Sequence, residues 1–329
     1  MRYPRISPKP FGYTIFKYLK HSSDSVLNFI DVFKRYNLIY SNSLSVIWQI
    51  VMKRRIIRVK FKGNEIHPKG VFNISRGLAI GLAKIDIIKG SKISKIGIDN
   101  SGNYISFDYN NQRLTFKDGI FNGDIAGVFF EETYSRLHIK DRIVLDIGAN
   151  IGDTAIYFAL NGAKLIYAFE PFPYSYKILE YNVSQFPLKT NIITYNAACG
   201  PHGTVKISPE YVNDERDELK EMPDGVNTPS YSLNDLIALV KLEIKLQYVL
   251  KMDCEGCEYD LILEASNEDL NKFSEIMVEY HYGYTELKNK LERAGFIVWY
   301  QNPSRVKNPR HSRSGYQGLL YAYQSSERS

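Results

Sequence analysis

The ten residues Val144 to Asp153, VLDIGANIGD, constrain this chain more than any other stretch. They follow a segment rich in β-branched residues and run directly into TAIYFAL, which is apolar and helix-compatible, so they read as strand, glycine turn and helix. Gly148 and Gly152 are expected because side chains there would keep a ligand away from the backbone N–H groups at the helix start. Asp146, at the strand end, is expected to face the crevice beside them.

A second strand follows in KLIYAFEP, Lys164 to Pro171, and it ends in a carboxylate, Glu170. In nucleoside-binding sheets an acid at this place accepts hydrogen bonds from ribose hydroxyls about 20 residues after the glycine turn, and Gly148 to Glu170 is 22 positions. Further strands are expected near 191–197, 247–252, 275–280 and 295–300, with GLLYAYQ, Gly318 to Gln324, as part of an antiparallel edge. Strands alternating with helices from Ile143 onward predict an α/β fold with a doubly wound, mostly parallel sheet of Rossmann-like type. The expected division is a smaller N-terminal α+β region over 1–119 and a cofactor-binding domain over 120–329.

The turn is GANIG behind an Asp, not the GxGxxG of dinucleotide-binding dehydrogenases. This DxGxxxG pattern resembles S-adenosylmethionine-dependent methyltransferases of class I. VLKMDCEGCEYDLI (Val249 to Ile262) is similar to the K-x-D-x-E-G-x-E block of the FkbM-type branch, and IMVEYH (Ile276 to His281) to its later V-E-x-H strand. VFFEETY (Val128 to Tyr134), NAACG (Asn196 to Gly200) and YSLNDLI (Tyr231 to Ile237) extend the resemblance over roughly 120–300. It implies S-adenosylmethionine as cofactor, held by Asp146, Gly148, Asn150, Gly152, Asp153 and Glu170, with Asn196 and Ala197 toward the adenine. Asn150 and Asp153 have a second reading as helix-start residues. The implied acceptor is a hydroxyl on a sugar, glycolipid or small metabolite; an NPPY-type signature, which a nucleic acid or protein nitrogen acceptor would suggest, is missing after the fourth strand.

Attack by a hydroxyl on a sulfonium methyl needs near-attack positioning and removal of the hydroxyl proton. Asp253 and Glu255 follow the fourth strand, and Glu279 and His281 end the fifth, so all four are expected at the mouth. His281 is the expected general base, since an imidazole titrating near pH 6.5 accepts a proton at neutrality, with Glu279 or Asp253 orienting it. The adopted reading assigns no metal; its alternative has Asp253, Glu279 and His281 ligating one divalent cation that acidifies the hydroxyl. Lys251 is expected to pair with Asp253 or Glu255.

Residues 1–70 hold 14 Lys or Arg against 3 Asp or Glu, whereas the remainder holds 28 against 33. Such a basic segment suits an acidic partner or simply a solvated face. Apolar residues recur at helical spacing as Val26, Phe29, Ile30 and Phe33, then Leu44, Ile47, Trp48 and Val51, predicting two helices that pack on a core. SVIWQIVMKRR, Ser45 to Arg55, also fits an interfacial helix on an anionic membrane. Short alternating runs, IIRVKFKG and YISFDYNNQRLTF, predict a β-rich unit with a hairpin turn at NNQ. Pro209 to Pro229 reads as a polar excursion at the strand-end side, and RVKNPRHSR, Arg305 to Arg313, as a basic loop that either grips a substrate anion or is solvated. Three cysteines cannot frame a fold of this size, and Cys254 and Cys257 are expected as free, packed thiols. With no apolar run of about 18 residues and no secretory signal pattern at the start, the expected compartment is cytoplasmic, with peripheral membrane contact as an addition. The competing function is a non-catalytic Rossmann-like module docking on membrane or RNA through its basic N-terminal part.

Overall fold

A computed structural model describes residues 23–63, 68–85, 93–99, 102–119, 125–207, 225–241, 248–306 and 315–324. The start of the basic segment, the body of the Pro209–Pro229 excursion and most of the Arg305–Arg313 loop lie outside these residues. The chain divides into two compact units, Met1–Ala126 and Gly127–Ser329.

The first unit begins with helices α1 (Ser23–Ile39) and α2 (Ser43–Val51), followed by antiparallel strands β1 (Ile56–Lys62) and β2 (Lys69–Ser75) and helix α3 (Arg76–Ile85). Strand β1 alternates strictly, burying Ile57, Val59 and Phe61 and exposing Ile56, Arg58, Lys60 and Lys62. A three-stranded antiparallel sheet completes the unit: β3 (Ile93–Asp99), β4 (Gly102–Tyr109) and β5 (Gln112–Lys117). The NNQ turn joins β4 to β5, with Tyr109 opposite Gln112 and both Asn110 and Asn111 at positive φ, the backbone that a two-residue hairpin of this hand requires.

The two helices form, but α2 presents a different face from the expected one. Asn42 Nδ2 donates to the Arg58 carbonyl and Asn42 Oδ1 accepts from the Lys60 N–H, while Gln49 makes the same pair of bonds with both backbone groups of Arg58. Residues 42, 46 and 49 share one side of a helix, so these amides turn Val46 inward, where it is fully buried. Leu44 and Trp48 consequently point outward, 62% and 59% exposed. The helix carries two overlapping apolar stripes, and hydrogen bonding to the sheet edge selects the less obvious one.

The second unit holds β6 (Ile143–Ile147), α4 (Asp153–Leu160), β7 (Leu165–Phe169), α5 (Pro173–Ser184) and β8 (Asn191–Tyr195). Next come short strands β9 (Ala198–Cys199), β10 (Gly203–Ile207) and β11 (Val226–Tyr231), which form a small separate sheet, and helix α6 (Leu233–Leu239). The end of the expected excursion is thus strand β11. Ser232 and Asp235 close a capping box at the start of α6. Then follow β12 (Tyr248–Met252), α7 (Cys257–Glu264), α8 (Asn267–Leu270), β13 (Phe273–Tyr280), α9 (Thr285–Arg293), β14 (Ile297–Tyr300), β15 (Ser304–Val306) and β16 (Gly315–Tyr323).

The main sheet runs β14-β16-β13-β12-β6-β7-β8, with β15 pairing β16. Strands β13, β12, β6, β7 and β8 are mutually parallel, and β16 is antiparallel to both its neighbours. This is the expected α/β, mostly parallel, doubly wound class. Every residue of β6 and β12 is buried, as central strands covered on both faces must be. As expected, β16 belongs to an antiparallel edge of the sheet, where the shorter, half-exposed β14 is outermost and β16 lies one strand in. Among the described residues no helix is long and apolar enough to cross a membrane.

Candidate active site

Parallel pairing brings the carboxyl ends of β7, β6, β12 and β13 side by side, and the site residues follow those ends. After β6 the chain makes a tight turn in which Gly148, Asn150 and Gly152 all have positive φ. A Cβ on Gly148 would stand 1.9 Å from the Asp253 carbonyl oxygen, so glycine is required by packing against the segment after β12. This corrects the expected reason, an open approach to free N–H groups. The N–H groups of Gly148 and Ala149 both donate to the Phe169 carbonyl at 3.0 Å, and that of Gly152 to Ala149 at 2.7 Å.

Glu170 follows β7 and is only 4% exposed. Its Oε2 accepts from the Asn150 N–H and its Oε1 from the Phe172 N–H, each at 2.9 Å, tying the two strand-end turns together. Burial pushes its carboxyl up from 4.5 to about 7, against the lowering effect of those two N–H bonds. Asn196 Nδ2 donates to the carbonyls of Glu170 and Pro171 and so braces the Glu170 turn from behind, while Ala197 is buried in the core. Asp153 is buried as the first residue of α4.

Asp146 does not face the crevice. It is 0% exposed, with Oδ1 2.9 Å from Lys251 Nζ and Oδ2 accepting from Thr154 Oγ1 at 2.5 Å. Lys251 is buried too, and Asp146, not Asp253 or Glu255, is its ion-pair partner; its ammonium also donates to the Gly148 carbonyl at 2.9 Å. Burial works against the charge on Lys251, but Asp146 and the other nearby carboxylates outweigh it and hold the amine above its ordinary value. This buried pair pins the glycine turn from beneath.

The four expected catalytic residues do converge. Asp253, Glu279 and His281 each offer a ligand atom, all within 4.8 Å of one another. His281 Nε2 lies 3.4 Å from Glu255 and 3.9 Å from Asp253. A fifth residue completes the group: Glu258, fully buried on α7, sits 2.8 Å from His281 Nδ1 and accepts from the Gly256 N–H. Tyr134 donates to Asp253 at 3.5 Å, and Gln317 on β16 donates to Glu279. Burial, then the charges of Asp253 and Glu279, keep the Tyr134 phenol well above its ordinary value and therefore neutral.

This arrangement overturns the reason for making His281 the base. Burial opposes its charge, but the Glu258 hydrogen bond and charge, with Glu255 and Asp253, outweigh that and raise it to about 10, so the ring already holds both protons at neutral pH. The cysteines also differ from expectation, since Cys254 and Cys257 are joined in a disulfide. The bridge spans Glu255 and Gly256, both at positive φ, and thereby fixes the loop that carries Glu255. Cys199 is the buried free thiol.

Sequence reading overlooked Glu258, Tyr134 and Gln317. Glu258 was visible as the last acid of the KMDCEGCE run and Tyr134 as the end of VFFEETY, whereas Gln317 gave no local signal.

Residues 146–298 match the methyltransferase FkbM domain. A 41-residue stretch is 49% identical to the uncharacterized protein 158B of Sulfolobus islandicus rod-shaped virus 1, covering 12% of this chain and 26% of that protein. Among solved structures, similarity extends to ribosomal protein L11 methylase from Lactobacillus delbrueckii subsp. bulgaricus, at 15% identity and TM-score 0.37 over 70% of this chain and 85% of that one. It extends also to M. jannaschii TYW2 in complex with AdoMet, at 16% and 0.34 over 67% and 84%, and to precorrin-6y C5,15-methyltransferase from Geobacter metallireducens GS-15, at 16% and 0.32 over 59% and 87%. Each Glu170 oxygen takes one N–H, and a carboxylate oxygen has a second lone pair, so the carboxylate has capacity to accept further hydrogen bonds.

Proposed function

Because this chain carries a methyltransferase FkbM domain in residues 146–298, we propose that it transfers the methyl group of S-adenosylmethionine to a hydroxyl oxygen of a sugar, glycolipid or other small metabolite. The observation that supports this most is the convergence at the carboxyl ends of the parallel strands of the Glu170 turn and the acid cluster of Asp253, Glu255, Glu279 and His281. When bound, the cofactor supplies an electrophilic methyl on a sulfonium. Glu170 would hold the ribose hydroxyls, the 148–152 turn would shape the floor, and Asn150 and Asp153 would face the methionine end. Asn196 would support the adenine side through the turn it braces, with Ala197 next to it in the core.

The protein's part in the chemistry is positioning and proton removal. An acceptor hydroxyl would have to be held in line with the methyl group, and its proton would pass to a carboxylate of the protein. Asp253 and Glu255, with side chains 32% and 24% exposed, are the reachable ones. His281, held by Glu258, stands beside both carboxylates and helps fix their positions. Calorimetric titration with S-adenosylmethionine and S-adenosylhomocysteine, followed by transfer of labelled methyl to a hydroxyl-bearing glycan panel, tests this. Micromolar binding is expected; no binding of either compound would leave the non-catalytic module.

A second reading, independent of the chemistry, concerns the first unit. Leu44, Trp48 and Met52 lie at i, i+4 and i+8, all are exposed, and Lys53, Arg54 and Arg55 follow directly. An amphipathic stripe ending in a basic cluster suits an anionic membrane surface. Salt-sensitive binding to phosphatidylserine vesicles, lost in Trp48→Glu, is expected; equal binding to neutral vesicles would exclude it.

A further inference from the structure

We infer that Asp253, Glu279 and His281 form a binding site for one divalent cation of the Mg²⁺ or Mn²⁺ kind, with Glu258 as the residue that orients His281. The inference deepens the methyl-transfer reading and depends on it only for the role of the cation, not for the existence of the site.

The backbone supplies the first argument. β12 and β13 are parallel neighbours, so Asp253, just past β12, and Glu279 and His281, at the end of β13, emerge at the same level. Their ligand atoms, two carboxylate oxygens and one imidazole nitrogen, lie within 4.8 Å of one another. That donor set suits hard to borderline divalent ions, and three ligands leave positions open for an acceptor oxygen.

The second argument is the state of the histidine. His281 is 7% exposed, and its Nε2 is buried with no hydrogen-bond partner. That nitrogen points at the carboxylates, 3.4 Å from Glu255 and 3.9 Å from Asp253. A buried polar nitrogen left in this way costs free energy unless something occupies the space before it. The other ring nitrogen is fixed at 2.8 Å by Glu258, which is itself fully buried and anchored by the Gly256 N–H. Carboxylate behind histidine, with the far nitrogen open toward further carboxylates, is the arrangement that sets the tautomer and ring angle of a metal-bound imidazole.

The ligand carboxylates are also held from outside the cluster. Tyr134 donates to Asp253, and Gln317 to Glu279, so each is aimed by a neutral donor from a distant part of the chain. A carboxylate alone deprotonates a free hydroxyl only with difficulty, and an ion here would acidify a coordinated one. With Asp253 engaged on the cation, Glu255 is left to receive the proton.

The test uses the full chain stripped with EDTA and titrated with MnCl₂, following the free-ion electron paramagnetic resonance signal. One equivalent of Mn²⁺ should be taken up. Asp253→Asn and Glu279→Gln should each weaken uptake at least about tenfold, and Glu258→Gln about 10- to 100-fold, the usual span for a group behind a metal ligand. Thermal unfolding of each variant confirms that it folds, and a variant that does not fold is replaced by His281→Gln. No uptake by the wild type, or equal uptake by folded variants, overturns the site. S-adenosylmethionine binding is measured separately: cofactor binding without Mn²⁺ uptake removes the cation and keeps the transfer reading, and the reverse result does the opposite.

Discussion

Replacing Glu170 by Gln separates what this residue does for the fold from what it does for the cofactor. Burial raises the carboxyl from 4.5 to about 7 in the folded chain. A group whose pKa is raised on folding contributes stability that is complete below the unfolded value and is lost as pH rises through the folded value. Between pH 5 and pH 8, Glu170 should therefore withdraw about 2.5 kcal/mol from the stability of the second unit. Glutamine cannot titrate, so that increment disappears from the variant. Glutamine also offers one acceptor oxygen where the N–H groups of Asn150 and Phe172 meet two, which costs about 1–3 kcal/mol at every pH. Urea unfolding at pH 5 and pH 8 should show the variant clearly weaker than wild type at pH 5 and close to it, or stronger, at pH 8. All other titrating groups are common to both proteins and cancel in the comparison. Cofactor affinity should move the other way. The ionised fraction of Glu170 rises from about a tenth at pH 6 to about nine tenths at pH 8, so wild-type affinity for S-adenosylmethionine should tighten about tenfold, with no such change in the variant. Parallel pH profiles of stability in the two proteins would refute the burial argument, and unchanged cofactor affinity would refute the ribose contact.

Two further outcomes follow from the turn. Lys251→Met leaves Asp146 buried without its ion partner and should cost about 3–5 kcal/mol in denaturant unfolding, whereas the double change Lys251→Met with Asp146→Asn should recover much of it; equal loss in both would show that the pair is not coupled. Gly148→Ala places a Cβ 1.9 Å from the Asp253 carbonyl at a φ of +74°, and should lower stability by about 2–4 kcal/mol while displacing Asp253. A thermal midpoint within a degree of wild type would contradict that packing.

The central strands were readable because parallel strands buried on both faces appear as continuous apolar runs, and Gly148 and Glu170 marked the ends of two of them. The chemistry around those ends was less legible. Asp146 looked like a crevice residue because a strand-end acid carries no sign of the lysine that meets it, and Lys251 is 105 positions away in sequence. Glu258 and His281 are 23 residues apart and meet only because α7 turns back over the end of β13. The ordinary pKa that made His281 a base applies to an imidazole in water, and the partner that changes it is a tertiary contact. For α2 the sequence held two apolar stripes of similar strength, and the choice fell to Asn42 and Gln49, polar residues that hydrophobic patterning ignores. The cysteine pair was read as packed thiols because three cysteines cannot frame a fold, an argument that does not weigh a local bridge between residues three apart on one tight loop.

The position of β16 gives the sheet an order of assembly. Strand β14 is paired with β16, and β15 as well, so until residues 315–323 arrive the growing sheet ends at β13 and these two segments have nothing to join. The same strand brings Gln317 to Glu279. A nascent or truncated chain lacking it would already hold the Glu170 turn and could bind at that end, yet its acid cluster would be left loosely aimed. Competence to hold a cofactor and competence to act on an acceptor would then be acquired at different moments of synthesis, the second only when the penultimate gap in the sheet is filled.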